Sequence, residues 1–270
     1  SEAINAAIST LEVGPSSNVV LFDDEFPSGV LPWLQASHDG RLAVRVIEIA
    51  GRDTDPLEAA RRVIDDDTVA VLVSHVSYAT GRRYPVAELA ALAHDRGAKV
   101  ILDVTQSAGV IPIDGSCADF VVGSSYKWLL GGHGIGILAT GTEWSRSAIR
   151  TGVGWRSVAD LFIPDRTQRY ELHSDARRLE LGYPSFPTVY ALDASMAWLE
   201  SMSIADIERH IAIVTDYFLD GVIARGWTSL TPLEAHARAG NVSLLAEDGE
   251  ELAVVLAERG ILCWGGDGRV

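Results

Sequence analysis

Short, uninterrupted apolar runs alternate with amphipathic stretches along the first half of the chain. Such runs are typical of strands that are buried on both faces of a parallel sheet. Strand–helix–strand repeats of this kind predict an α/β fold, with a mostly parallel sheet between layers of helices. The predicted strands are 18–22, 42–49, 69–73, the run ending at Asp103, 120–122 and 135–139, and the predicted helices are 1–11, 56–64 and 85–96.

The second half has a different pattern. Two long amphipathic stretches, 189–202 and 204–225, are followed by a smaller predicted unit that contains a strand at 242–245, a helix at 250–259 and a strand at 261–264. We therefore expect a large domain over residues 1–200 and a smaller α/β C-terminal domain over residues 201–270. Residues 23–33, which carry two prolines and a glycine, are assigned to no helix or strand.

Composition narrows the class of protein. The net charge is −15, and a strongly acidic chain is a poor partner for nucleic acid or an anionic membrane surface. No apolar run reaches the roughly 18 residues that a membrane span needs. Two cysteines, Cys117 and Cys263, provide no disulfide framework and fit a reducing compartment. We expect a cytoplasmic protein of enzyme size, with no nucleic-acid or membrane partner.

A single lysine stands just beyond the apolar run 120–122. Lys127 lies in segment 123–132, which reads GSSYKWLLGG. Burying an ammonium group is costly, and a desolvated lysine is a usable amine nucleophile, for example in a Schiff base with an aldehyde. A lysine that extends from a strand end into solvent is the alternative.

An aspartate ends the preceding strand. Asp103 closes the run KVILD, and Gln106 follows three residues later. Because ligands of open α/β sheets bind beyond the carboxyl ends of the strands, Asp103 and Lys127 are expected at the same edge. An amine with a carboxylate suits pyridoxal phosphate, since the lysine holds the aldehyde and the aspartate pairs with the pyridinium nitrogen.

These motifs resemble the class V aminotransferase family of fold-type I pyridoxal-phosphate enzymes. Asp103 with Gln106, followed by Ser-x-Tyr-Lys-Trp-Leu-Leu-Gly, carries the resemblance, which is densest over residues 70–140. The family includes cysteine desulfurases, selenocysteine lyases, isopenicillin-N epimerases and kynureninases. The resemblance implies the fold-type I transferase fold, pyridoxal 5'-phosphate as cofactor and Lys127 as the catalytic residue. Relative to the family, we also expect further residues before Ser1 and after Val270.

The resemblance also implies the residues that bind the cofactor. Asp103 matches the partner of the ring nitrogen, and Gln106 matches the residue that hydrogen-bonds the phenolic oxygen. Phe26 matches a ring stacked on the cofactor, and Tyr78 stands where relatives often carry an asparagine. Phosphate-binding positions are matched by Ser1, Ser124 and Tyr126. Packing or helix capping remains the alternative for Phe26, Tyr126 and Ser1.

Partners and substrate follow from the same resemblance. Glycine-bearing segments such as the one around Trp155 approach the active site of the other subunit in relatives, which implies a homodimer with shared sites. The substrate is expected to be an amino acid, a small molecule whose identity the sequence leaves open. Its carboxylate is expected to meet an arginine near the C-terminus, for which Arg269 is a candidate. Trp155 is a candidate for a further substrate contact.

The reaction after removal of the Cα proton stays open. Amino-group transfer is the expected reaction. The alternatives are β-elimination by a C–S lyase, kynureninase-type hydrolysis, racemisation, and cofactor binding without turnover. Cys263 falls inside the predicted strand 261–264, where a thiol is usually inert, so persulfide chemistry is disfavoured.

Two other classes of site receive little support. The glycines of segment 131–136 precede a strand rather than a helix, which excludes the dinucleotide-binding fingerprint. The pairs of histidine and aspartate lack the spacing of metal ligands, so no metal site is predicted.

Overall fold

The computed structural model describes residues 1–49, 51, 53–141 and 152–270. Its helices are α1 (Glu2–Ile8), α2 (Pro27–His38), α3 (Pro56–Arg61), α4 (Val86–His94), α5 (Phe186–Met202), α6 (Ile204–Ile223) and α7 (Gly249–Ala257). Its strands are β1 (Asn18–Phe22), β2 (Ala43–Ile47), β3 (Thr68–Ser74), β4 (Lys99–Asp103), β5 (Phe120–Ser124) and β6 (Gly136–Thr140).

One six-stranded sheet organises the first half of the chain, in the order β2-β1-β3-β4-β5-β6. β1 to β5 pair with one another in parallel, and β6 pairs with β5 antiparallel. The predicted mostly parallel α/β sheet is therefore confirmed. The antiparallel β6 follows from the short connection after β5, because a parallel crossover needs a dozen or more residues and usually a helix.

Both faces of the sheet are covered. On one face, residues of α3 and α4 such as Ala60 and Leu89 pack against Val71 and Val100. On the other face, Ile4 of α1 and Trp33 of α2 pack against Leu21 and Ile101. A sheet that is buried on both faces explains why its strands are uninterrupted apolar runs.

Helix α2 has no counterpart in the sequence prediction. Ser28 and Gly29 are typical of turns, and Pro32 inside the helix removes one backbone donor. Burial of Trp33 and Ala36 against the sheet outweighs these local preferences.

The last part of the chain also differs from expectation. Residues 261–264 form no strand, and the predicted strand 242–245 forms only isolated bridges, Ser229 with Leu244 and Leu245 with Arg269. Leu262 is 88% exposed, so the apolar run there has no neighbouring strand to pack on in the described residues. The division into domains at residue 200 stays a prediction.

The long amphipathic stretches form α5 and α6, which meet at Ser203, a residue with φ of 63°. Among the described helices, none combines the length and the hydrophobicity that a bilayer crossing requires.

Candidate active site

A cavity of about 190 Å³ opens at the carboxyl edge of the sheet. It lies beyond the ends of the neighbouring strands β3, β4 and β5, whose last residues are Ser74, Asp103 and Ser124. All the residues predicted to act in catalysis or to bind the cofactor line this one cavity: Ser1, Phe26, Tyr78, Asp103, Gln106, Ser124, Tyr126 and Lys127. The role of each residue stays a prediction.

Lys127 is carried by a tight loop between β5 and β6. Ser125 is fully buried, and its Oγ donates to the Gly132 carbonyl at 2.7 Å while the Gly131 N–H donates to the Ser125 carbonyl at 2.8 Å. Of the two environments considered for Lys127, desolvated or extending into solvent, this single chain shows the second. The Lys127 side chain is exposed, because β5 ends before it and the loop carries it to the rim of the cavity.

Gly109 brings the loop after β4 against the loop that carries the lysine. Its φ is +97°, and a Cβ at this position would lie 2.4 Å from the Trp128 carbonyl oxygen. Only glycine fits a left-handed backbone in such close contact. Trp128 in turn packs against Val110 and Ala239, so the residue next to Lys127 is anchored in a hydrophobic cluster.

Asp103 lies at the floor of the cavity. Burial raises the pKa of its carboxyl above the ordinary value, while hydrogen bonds from Thr105 lower it. The Thr105 N–H donates to Asp103 Oδ1 at 2.7 Å, and the Thr105 Oγ1 accepts a hydrogen bond from the Ser124 N–H at 3.1 Å. Within the described residues, Asp103 forms no ion pair with a lysine or arginine. A protonated ring nitrogen would supply the missing cation.

Aromatic rings and hydroxyls form the rest of the lining. Phe26 meets Tyr78 edge to face with ring centres 5.1 Å apart, and Tyr126 stacks on His133 at 4.2 Å. Ser1 Oγ lies 2.7 Å from Ser28 Oγ and makes no capping bond to α1. A flat apolar surface, neutral donors, a lysine and a buried carboxyl fit the ring, phosphate, aldehyde and ring nitrogen of pyridoxal phosphate.

The two candidates for substrate binding, Trp155 and Arg269, do not line the cavity. Trp155 packs edge to face against Tyr183, with ring centres 4.3 Å apart. Arg269 is close to the cavity, since its guanidinium carbon lies 5.4 Å from the ring centre of Tyr78 and 4.7 Å from that of Trp264.

Ser74 and Glu25 are among the residues of the site that the sequence prediction does not contain. Ser74 lines the cavity, and Glu25 lies buried behind it, bonded to Ser74. Ser74 had a usable signal, because it is the first polar residue after an apolar run that ends at the ligand-binding edge. Glu25 had none, because it closes the acidic run Asp23-Asp24-Glu25, and such runs usually face solvent.

The Aminotransferase class-V family model matches residues 1–268. A probable cysteine desulfurase of Pseudomonas aeruginosa is 29% identical over 265 residues, covering 96% of this chain and 64% of that protein. A kynureninase of Pseudomonas fluorescens is 28% identical over 222 residues, covering 78% of this chain and 52% of that protein. The apo structure of a cysteine desulfurase from Thermococcus onnurineus is 26% identical and has a TM-score of 0.86, covering 97% of this chain and 66% of that one.

These findings confirm the predicted family and the fold-type I architecture. The chain spans between 52% and 66% of the length of these relatives. The cavity residues fit pyridoxal 5'-phosphate, which is the cofactor that membership of the family indicates. With a model match over nearly its whole length, this chain belongs to the class V aminotransferase family.

Proposed function

We propose that the protein is a pyridoxal-phosphate-dependent lyase that breaks the Cβ–sulfur bond of a cysteine-type amino acid. The observation that carries this proposal is that Lys127 and Asp103 line one cavity at the carboxyl edge of the sheet. The names of the relatives, cysteine desulfurase and kynureninase, favour the lyase alternative over amino-group transfer.

Each residue of the cavity has a distinct task in this proposal. Lys127 Nζ would hold the aldehyde of the cofactor and then take the proton from Cα of the substrate. Asp103 would pair with the ring nitrogen, and Gln106 would donate to the phenolic oxygen. When bound, pyridoxal phosphate supplies an electron sink for the pair left at Cα. The hydroxyls of Ser1 and Ser124 would receive the phosphate.

The β-carbon step needs a leaving group but no protein thiol. The electron pair of the Cβ–S bond would leave with the sulfur, and hydrolysis by water would release the remaining three carbons as pyruvate and the nitrogen as ammonia. The argument that Cys263 is inert in a strand does not hold, because residues 261–264 form no strand and the thiol is exposed. Cys263 does not line the cavity, however, so we propose direct release of the sulfur rather than transfer to this residue.

Arg269 is proposed to receive the substrate carboxylate. Its guanidinium stacks on the ring of Tyr78, which lines the cavity, and its side chain is only 12% exposed. An ion pair with Asp267 at 3.6 Å keeps it near this position. Arginine suits a carboxylate because its planar guanidinium can form two parallel hydrogen bonds.

We also propose the homodimer with shared sites. Trp155, Tyr183 and Phe186 form an aromatic cluster whose members are 44%, 60% and 51% exposed. Exposed clusters of this kind are typical of surfaces that bind another protein. Analytical ultracentrifugation of the wild type and of Tyr183→Asp tests the proposal. A monomeric wild type would contradict it.

The test of the function begins with absorption spectra of the purified chain after addition of pyridoxal phosphate. We expect a visible band that borohydride bleaches and that Lys127→Ala lacks. Lys99→Ala is the matched control, because Lys99 pairs with Asp119 at the opposite edge of the sheet. It should keep the band. A wild type that never develops the band would contradict the proposed cofactor.

Products separate the candidate reactions. With cysteine or cystine, the proposed lyase should release pyruvate and a sulfur species in equal amounts, and Cys263→Ala should retain this activity. Kynureninase-type hydrolysis is the second candidate, favoured by the Pseudomonas fluorescens relative, and would release alanine from kynurenine. Amino-group transfer would instead require a keto-acid acceptor. A bound cofactor that no amino acid perturbs would identify a non-catalytic binding protein.

A further inference from the structure

Glu25 is a buried carboxyl for which the proposed reaction has no use. It lies between β1 and α2, is only 6% exposed and does not line the cavity. Both of its oxygens contact one residue. Oε1 accepts a hydrogen bond from the Ser74 N–H at 2.6 Å, and Oε2 lies 2.6 Å from Ser74 Oγ.

Ser74 connects Glu25 to the cavity. It is the last residue of β3, it lines the cavity, and it is in register with Asp103 on β4. The His75 N–H donates to the Asp103 carbonyl at 2.8 Å and extends this pairing. Glu25 therefore fixes the strand end that lies beside the carboxyl proposed to bind the ring nitrogen.

The surroundings of Glu25 favour its neutral form. The pKa of Glu25 is raised to about 8, because burial, together with the charges of Asp103 and Asp24, raises it more than the hydrogen bonds from Ser74 lower it. The Tyr84 hydroxyl donates to Asp24 rather than to Glu25. No lysine or arginine forms an ion pair with Glu25 in the described part of the chain. Among the described residues, the titratable groups around Glu25 and the cavity are Asp24, Tyr84, His75, Asp103, Lys127, Tyr78, Tyr126 and the α-amino group of Ser1.

The protonation state of Glu25 decides the direction of the Ser74 hydroxyl. When Glu25 is neutral, its O–H can donate to Ser74 Oγ, which leaves the serine proton free to donate into the cavity. When Glu25 is ionised, its oxygens only accept, so the serine proton turns towards Glu25 and away from the cavity. Ionisation also adds a negative charge next to Asp103.

We propose that Glu25 is a positioning residue of the cofactor site, which holds Ser74 beside Asp103 and, through its own proton, aims the Ser74 hydroxyl into the cavity. The inference rests on the proposed function, because it requires pyridoxal phosphate in this cavity. The cofactor is an anion, so it should bind more tightly while Glu25 is neutral and Ser74 can donate.

The test measures the dissociation constant of pyridoxal phosphate by absorbance, from about pH 6.5 to 9, for the wild type, Glu25→Gln, Glu25→Ala and Ser74→Ala. The glutamine variant imitates neutral glutamate, because the amide side chain both accepts and donates. We expect Glu25→Gln to bind like the wild type at pH 7 and more tightly than the wild type above pH 8. Glu25→Ala leaves the Ser74 N–H without its acceptor, and the dissociation constant should rise about tenfold.

Asp23→Asn is the matched control within the same acidic run, because Asp23 accepts from the Ile49 N–H and does not contact Ser74. Its dissociation constant should follow the wild type across the pH range. Ser74→Ala should bind the cofactor more weakly than the wild type at pH 7. It should also lack the part of the change in dissociation constant between pH 7 and 9 that the wild type owes to Glu25. If the dissociation constants of the wild type and of Glu25→Gln keep the same ratio at every pH, the inference is overturned, provided that the wild type binds the cofactor. If the wild type does not bind it, the proposed function fails instead.

Discussion

Two acidic runs of almost the same composition lie at opposite edges of the sheet. Asp23-Asp24-Glu25 follows β1 at the carboxyl edge, next to the cavity, and Asp65-Asp66-Asp67 precedes β3 at the other edge. In the second run, Asp65 accepts hydrogen bonds from Arg45 and Asn18, which lower its pKa, and Asp66 pairs with Arg96 at 2.8 Å. Burial has the opposite effect on the first run, where it raises the pKa of Asp23 and Glu25.

The opposite pKa shifts of the two runs indicate different roles for the carboxyls at the two edges. At the edge of the second run, the amino edge of the sheet, Asp65 and Asp66 pair with arginines, as expected of groups that stabilise the fold. At the carboxyl edge, neither Glu25 nor Asp103 forms an ion pair with a lysine or arginine of the described segments. Ionising a buried carboxyl that lacks a cation costs free energy in the empty protein, and at Asp103 the ring nitrogen of the proposed cofactor would supply that cation. We therefore expect substitutions at the carboxyl edge to affect binding and turnover, and those at the amino edge to affect stability.

The largest expected effect is a difference in kcat/KM between substitutions of two aspartates, one at each edge of the sheet. Asp103→Asn removes the carboxylate proposed to bind the ring nitrogen and should lower kcat/KM by about 10²- to 10⁴-fold. Asp119→Asn, at the amino edge, disturbs bonds to the Val100 N–H, Lys99 and His94. It should leave kcat/KM within a small factor and reduce the free energy of unfolding by about 1–3 kcal/mol.

Steady-state kinetics and urea denaturation of both variants measure this contrast. Equal losses of kcat/KM in the two variants would show that the edges do not divide their roles in this way. The amide in each variant keeps the size of the side chain, so packing is matched between them.

The second effect compares glycines at the two ends of β4. Gly109 and Gly97 both have positive φ, but only at Gly109 would a Cβ collide with backbone, 2.4 Å from the Trp128 oxygen, whereas nothing lies within 4 Å at Gly97. Each alanine variant should lose about 1–2 kcal/mol of stability from the left-handed backbone. Gly109→Ala should lose more, because the loop that carries Lys127 must shift.

Thermal denaturation gives the stability of both variants. Titration of the visible band of the bound cofactor gives its affinity, which depends on the position of the loop that carries Lys127. We expect Gly109→Ala to reduce cofactor affinity and Gly97→Ala to leave it unchanged. Unchanged affinity in both would mean that the contact with Trp128 does not position Lys127.

The edges also differ in what the sequence could predict. The parallel strands and the residues Lys127 and Asp103 follow from local patterns, since apolar runs end where a ligand edge is expected. Helix α2 and the buried state of Glu25 depend on contacts between distant segments, such as Glu25 with Ser74, which no local pattern contains. The predicted strand 261–264 failed for the same reason, because a strand needs a neighbour to pair with.

A third, smaller effect is the response of stability to pH. Burial alone would raise the pKa of Asp119, but hydrogen bonds from Val100, His94 and Lys99 lower it overall. Its contribution is therefore present above about pH 4 and is lost as the pH falls further. Glu25 has a raised pKa, about 8 when folded against an ordinary value of 4.5. Its effect on stability is most favourable below about pH 4.5 and worsens as the pH rises towards 8.

Urea denaturation of the cofactor-free protein at several pH values checks these signs. Relative to the wild type, Glu25→Gln should gain stability between about pH 5 and 8. The loss caused by Asp119→Asn should shrink as the pH falls below 4. Two difference curves with the same sign would contradict the assignment of opposite pKa shifts to the two edges.

The smallest expected effect is a difference in Tm between substitutions of two neighbouring aspartates in the run Asp65-Asp66-Asp67. Asp66 is 84% exposed and contacts an arginine that is 47% exposed, and exposed pairs of this kind contribute little. Asp66→Ala should leave Tm unchanged within error. Asp65→Ala should lower Tm measurably, because Asp65 accepts hydrogen bonds from Arg45, Asn18 and the Thr68 hydroxyl. Equal losses in both variants would mean that charge alone determines what this run contributes. Unequal losses would mean that the carboxylate contributes through the donors it reaches on neighbouring strands.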